Sequence, residues 1–184
     1  MYRYKVKMQH NEESLLSLSR MQYDLFCKSN RIVRSLLSVF FIVLGLAYSS
    51  AWWGILLIAY GCYLTTSTYS ASNHTARKLA AQIKASGCGF PCSEYLFEED
   101  RLRIITLPER EELEALPYSS ILRMGEDTEH FYLFRDSYGG YMIPKAALGE
   151  QLQDFRQFLA SRTGQDFRSR QAPILRLISR LTRR

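Results

Sequence analysis

Between Ser35 and Ala76 the chain has no aspartate, glutamate, lysine or arginine, although 23% of its residues are charged overall. As a helix this gap would extend about 63 Å, twice the ~30 Å hydrocarbon thickness of a bilayer. A core helix of a soluble protein keeps polar residues on one face, and the rest of this 184-residue chain is too small to bury so long an uncharged run. The middle of the run, Tyr48-Ser49-Ser50-Ala51-Trp52-Trp53, combines small hydroxyls that suit a tight turn with rings that favour the headgroup level. The expectation is a transmembrane hairpin over residues 32–69, with spans at about 32–48 and 52–69. From 35 to 69 there is also no acid or base to serve as a proton relay or ion ligand.

Other scarcities narrow the chemistry. Histidine occurs only at 10, 74 and 130, and cysteine only at 27, 62, 88 and 92. Cys88-Gly89-Phe90-Pro91-Cys92 has an x3 spacing, unlike the x2 or x4 of zinc sites, and no second ligand pair accompanies it. No acid, base or nucleophile has a partner at catalytic spacing, and Glu98-Glu99-Asp100 reads as a hairpin turn. Neither an enzyme nor a cofactor is expected. A signal peptide is excluded, because the apolar run starts some thirty residues in and is too long. The formal charge of +6 resides in the tail: six arginines and no acid occupy residues 168–184, which leaves 18 basic against 18 acidic groups in the body. A neutral body argues against nucleic acid as a partner.

Lys28, Arg31 and Arg34 precede the first span and Arg77, Lys78 and Lys84 follow the second, whereas the turn is uncharged. Positive residues stay inside, so both termini are expected in the cytoplasm. Residues 1–10 hold a strand, since Tyr2, Tyr4, Val6 and Met8 alternate with Arg3, Lys5 and Lys7. That strand needs a sheet, and the next candidate strands begin near residue 93. Residues 11–31 read as a juxtamembrane helix capped by Asn11, with Glu12 and Glu13 in its first turn and a stripe of Leu15, Leu18, Met21 and Leu25. Ser38 and Gly45, like Gly54 and Gly61, are seven apart and would share a helix face where two helices can approach closely. Residues 70–92 are a connector helix and loop. From 93 to 164 short aromatic and branched segments separated by turn signals predict five or six antiparallel strands. Leu148, Leu152, Phe155 and Leu159 then recur at helical spacing, with Gly164 after the end. The fold class is thus an α+β membrane protein, with a helix closing a bent sheet.

The hairpin, Tyr95-Leu96-Phe97-Glu98-Glu99-Asp100, Tyr118-Ser119-Ser120-Ile121, Phe131-Tyr132-Leu133-Phe134, Ile143-Pro144-Lys145 and the Phe155 to Leu159 helix together resemble the YcxB-like family of bacterial membrane proteins. The resemblance implies a cytoplasmic PH-like sheet closed by a C-terminal helix, a multi-pass protein of the bacterial plasma membrane, and no catalytic residue to carry over. The tail, 165–184, lies outside it.

Two stretches are candidates for membrane-surface contact. Lys145, after Pro144 at a strand-to-helix turn, can reach an anionic headgroup or stand in solvent. In the tail, Ile174, Leu177, Ile178 and Leu181 fall on one helical side and Arg176, Arg180, Arg183 and Arg184 on the other, as suits an anionic leaflet. The expected function is a non-enzymatic, membrane-anchored binding module that engages a protein segment or lipid headgroup. Its partners are the bilayer, anionic lipid and an unidentified membrane protein. The alternatives are a small oligomeric transporter or channel subunit, or an enzyme using Cys88 and Cys92.

Overall fold

A computed structural model describes residues 2–87 and 89–169 of the chain. The expectations for Cys88, Arg176, Arg180, Arg183 and Arg184 lie outside the described residues. Within them the architecture is α+β, with antiparallel sheets and four α-helices.

The alternating N-terminal segment forms β1 (Tyr4–Gln9), whose residues are buried and exposed in turn. Its buried set, Tyr4, Val6 and Met8, requires a partner that is remote in sequence: β1 pairs antiparallel with β2 (Cys92–Phe97), Tyr4 opposite Phe97 and Gln9 opposite Cys92. Next to β2 follow β3 (Arg101–Leu107) and β4 (Glu111–Pro117) in one four-stranded sheet. A second sheet contains β5 (Arg123–Glu126), β6 (His130–Phe134) and β7 (Gly140–Pro144), and its fourth strand, β8 (Arg168–Ser169), runs parallel to β5.

Helix α4 (Leu152–Thr163) closes the space between the sheets and ends at Gly164, whose φ of 66° is left-handed, the usual conformation at a helix stop. Fully buried Phe155 meets Tyr4 and Phe97 of the first sheet at ring separations of 5.1 and 4.8 Å, and Phe131 of the second at 5.6 Å. One residue thereby joins both sheets to the helix.

Three helices are inserted between β1 and β2. Helix α1 (Glu12–Phe26) begins with a capping box: Asn11 Oδ1 accepts from the Ser14 amide at 2.7 Å while Ser14 Oγ accepts from the Asn11 amide at 2.8 Å. It ends at Cys27, a single non-helical residue that separates it from α2 (Lys28–Ala47). Helix α3 (Trp52–Ala85) is one piece of 34 residues. The expected connector at 70–92 is therefore largely the lower half of this helix: its run contains neither glycine nor proline before Gly87, where φ is 70°.

Candidate functional site

Helices α2 and α3 fold back on each other along a seam of small residues. On α2 only Ser38 and Gly45 are buried, and on the facing half of α3 the buried set is Gly54, Gly61, Leu64 and Thr68. The backbones approach so closely that a Cβ at Gly61 would lie 2.7 Å from Ile42 Cγ1 and 2.9 Å from the Ser38 carbonyl oxygen. Ser38 Oγ donates across the seam to the Gly61 carbonyl at 2.6 Å and lies 2.5 Å from Thr65 Oγ1. The large side chains point the other way. Leu36 and Ile55 are each 66% exposed, and Val43, Leu46 and Leu56 are likewise open. At the turn, the Tyr48 and Trp53 rings are 4.8 Å apart and Trp52 is 75% exposed. Among the described residues one helix, α2, is long and apolar enough to cross a membrane. The expected second span, 52–69, is less apolar, because Trp52, Trp53, Tyr60, Tyr63 and the run Thr65-Thr66-Ser67-Thr68 dilute its aliphatic residues.

At the base of the hairpin α1 docks against the lower half of α3. Ser19 Oγ donates to the Ser72 carbonyl at 3.0 Å, Arg20 Nε donates to Asn73 Oδ1 at 3.0 Å, and Tyr23 OH lies 3.3 Å from Thr75 Oγ1. Small Thr68, Ser72, Ala76 and Ala80, four residues apart, form the buried face of α3 here. Where α1 ends and α2 begins, a notch of about 190 Å³ opens, lined by Arg20, Tyr23 and Asp24 of α1, Arg31 of α2, and Thr68, Tyr69, Ser72 and Asn73 of α3. Arg31 forms an ion pair with Asp24, and its guanidinium lies 5.1 Å from the centre of the Tyr69 ring. In the sequence Arg31 stands out only as a flanking charge, and nothing there brings Arg20 or Asn73 to it, since α1 and α3 are some fifty residues apart in the chain.

Lys145 sits in a different setting. Its Nζ donates to the Asp127 carbonyl at 2.6 Å, lies 3.3 Å from Glu126 Oε2, and stands 4.7 Å from the centre of the Phe131 ring. Arg156 meets the same Glu126 at 2.8 Å. The Lys145 side chain is only 17% exposed, so a headgroup would have to displace these partners. Pro144 is the last residue of β7 and precedes a short 3₁₀ turn, Lys145–Ala147, rather than opening α4 itself. Nearby, the imidazoles of His10 and His130 are both held below their ordinary pKa. Burial is the main cause for each, and repulsion from His130 adds to it at His10. Glu98, Glu99 and Asp100 form the β2–β3 turn, where Glu98 pairs with Arg103 at 3.3 Å.

The model of the family described as YcxB-like protein matches residues 97–159. This segment is YcxB-like. It runs from Phe97, the last residue of β2, to Leu159 in α4, both completely buried. The YcxB-like segment thus comprises five strands and most of the closing helix, while β1, the hairpin and the notch lie outside it. Among curated proteins none matches the chain.

Proposed function

We propose that the chain is a membrane-anchored, non-enzymatic binding module, in which α2 and the upper half of α3 cross the bilayer and the YcxB-like segment works at the cytoplasmic face. The observation that carries this reading is the inside-out distribution along the hairpin. Glycine and serine are buried between the helices, and Leu36, Phe40, Val43, Ile55 and Leu56 are turned outward. Water is a poor solvent for such a surface, and lipid is a good one.

The hydroxyls of α3 do not oppose membrane insertion. Thr66 Oγ1 donates to the Cys62 carbonyl at 3.0 Å, Ser67 Oγ to Leu64 at 3.1 Å, and Thr68 Oγ1 to Leu64 at 2.7 Å. A hydroxyl satisfied within its own helix costs little to desolvate. Flanking charges favour both termini on the cytoplasmic side. A sheet of four strands, a second sheet whose three antiparallel strands follow in sequence, and a C-terminal helix seated between them support the PH-like reading. The ligand class it would engage is a protein segment or a lipid headgroup.

Alkaline carbonate washing of membranes tests the anchor: the chain is expected in the pellet, and recovery in the supernatant would refute it. Sidedness is read with Ser49→Cys in a cysteine-free background. An impermeant maleimide should label it from outside intact cells, and labelling only in inverted vesicles would reverse the orientation.

A further inference from the structure

The notch at the base of the hairpin has a chemistry that the anchor alone does not use. Resting on the membrane reading above, we propose that it holds the phosphate of an anionic phospholipid from the cytoplasmic leaflet, with Arg20 and Arg31 as its charged partners.

The depth is right for a headgroup. Arg31 lies seventeen residues before Tyr48, about 25 Å along the helix, slightly less than a ~30 Å hydrocarbon layer. With the aromatic turn at the far interface, a hairpin this short thins the near leaflet and brings its phosphates to the level of Arg31. Tyr69 and Tyr23, which line the notch, are residue types that settle at that level.

The charge is right as well. Arg31 is already oriented by Asp24, whereas Arg20 is held by a neutral partner, the Asn73 side-chain oxygen. Two guanidinium groups against one carboxylate leave the lining with one net positive charge, and Lys28 and Arg34 lie one turn to either side of Arg31 on α2. A guanidinium fork matches phosphate oxygens in geometry as well as sign. At about 190 Å³ the cavity has room for a phosphate. What selects a lipid over a free anion is the surface next to it. Ile32, Val33 and Leu36, all more than half exposed, continue from Arg31 along α2 and offer acyl chains an apolar path.

The test uses the full chain, purified in mild detergent from vesicles containing equal amounts of phosphatidylglycerol and phosphatidylcholine, with retained lipid extracted and identified by mass spectrometry. Wild type should keep phosphatidylglycerol in preference. Combining Arg20→Gln with Arg31→Gln should lower that retention about tenfold. Arg20→Gln alone, which gives up one hydrogen bond to a neutral acceptor within the protein, should lower it severalfold, and Lys7→Gln on the exposed side of β1 should leave it unchanged. Wild-type retention in either Arg20 variant would overturn the proposal, as would equal retention of the two lipids. Release of the lipid by millimolar inorganic phosphate would assign the notch to a soluble anion and overturn it too. Carbonate extraction of the same variants separates the two readings: pelleting without selective lipid removes the site and keeps the anchor, whereas release removes both.

Discussion

Replacing Gly61 by valine tests the seam that holds the hairpin together. A Cβ at this position meets Ile42 Cγ1 at 2.7 Å and the Ser38 carbonyl oxygen at 2.9 Å, where ordinary contact begins near 3.4 Å, so the helices must part by several tenths of an ångström or more. The Ile42 side chain can turn aside. The Ser38 backbone cannot, and its withdrawal stretches the 2.6 Å bond from Ser38 Oγ to the Gly61 carbonyl. Overpacking costs about 1–3 kcal/mol, and an interhelical hydrogen bond in lipid contributes roughly 0.6–1.7 kcal/mol. Valine recovers a few tenths of a kcal/mol in helix propensity over glycine. The net expectation is a loss of about 1–4 kcal/mol. Both tryptophans of the chain, Trp52 and Trp53, stand at the hairpin turn, so their fluorescence during a titration with sodium dodecyl sulfate follows this unit specifically. Gly89→Val is the control, because nothing lies within 4 Å of a Cβ there. An unchanged midpoint for Gly61→Val, or an equal shift in both variants, would refute close packing at the seam.

Phe155→Ala should cost about 3–5 kcal/mol, as a wholly buried ring contacting both sheets is lost, and a thermal melt of the detergent-solubilised protein should show it. Arg123 donates to the Leu25 carbonyl and stacks 4.5 Å from the Phe26 ring centre, so Arg123→Met should loosen α1 from the sheet by about 2 kcal/mol. Faster amide hydrogen exchange confined to α1 is the expected readout, and unchanged exchange would refute the docking role. The imidazole of His10 is depressed by burial and by His130, which itself faces Asp127, Glu129 and Lys145. The unfolded chain therefore binds the proton first, and this contribution to stability is fully present above about pH 6.5 and declines as pH falls through the lower folded value. His10→Gln should flatten part of the decline in melting temperature between neutral and mildly acidic pH, and an identical slope would count against it.

The parts of the fold legible in the sequence are those decided locally. Asn11 announces a cap because its side chain stands just ahead of Glu12-Glu13 and a helical stripe, and the bond to Ser14 follows. Gly164 marks a helix stop because left-handed φ is unfavourable for other residues. The alternation of β1 implied a distant partner without naming its register. The alanine-rich run after Tyr69 allows either a continued or a restarted helix, and the structure has one unbroken helix, whose small residues Thr68, Ser72, Ala76 and Ala80 form the narrow buried face of its lower half. The division into two sheets was not legible, since it depends on β4 and β5, neighbours in sequence, not pairing with each other. The notch escaped as well, being assembled from three helices through contacts such as Arg20 to Asn73. Lys145 shows the converse, an apparently available cation that folding commits to Glu126 and Asp127.

Because β1 is made some eighty residues before β2, the ribosome delivers an orphan strand first and its neighbour only after the greasy helices have been synthesised. A protease cut near residue 90 would consequently strand β1 with the three helices. The freed C-terminal fragment would carry a naked β2 rim, open to pairing with any passing extended chain.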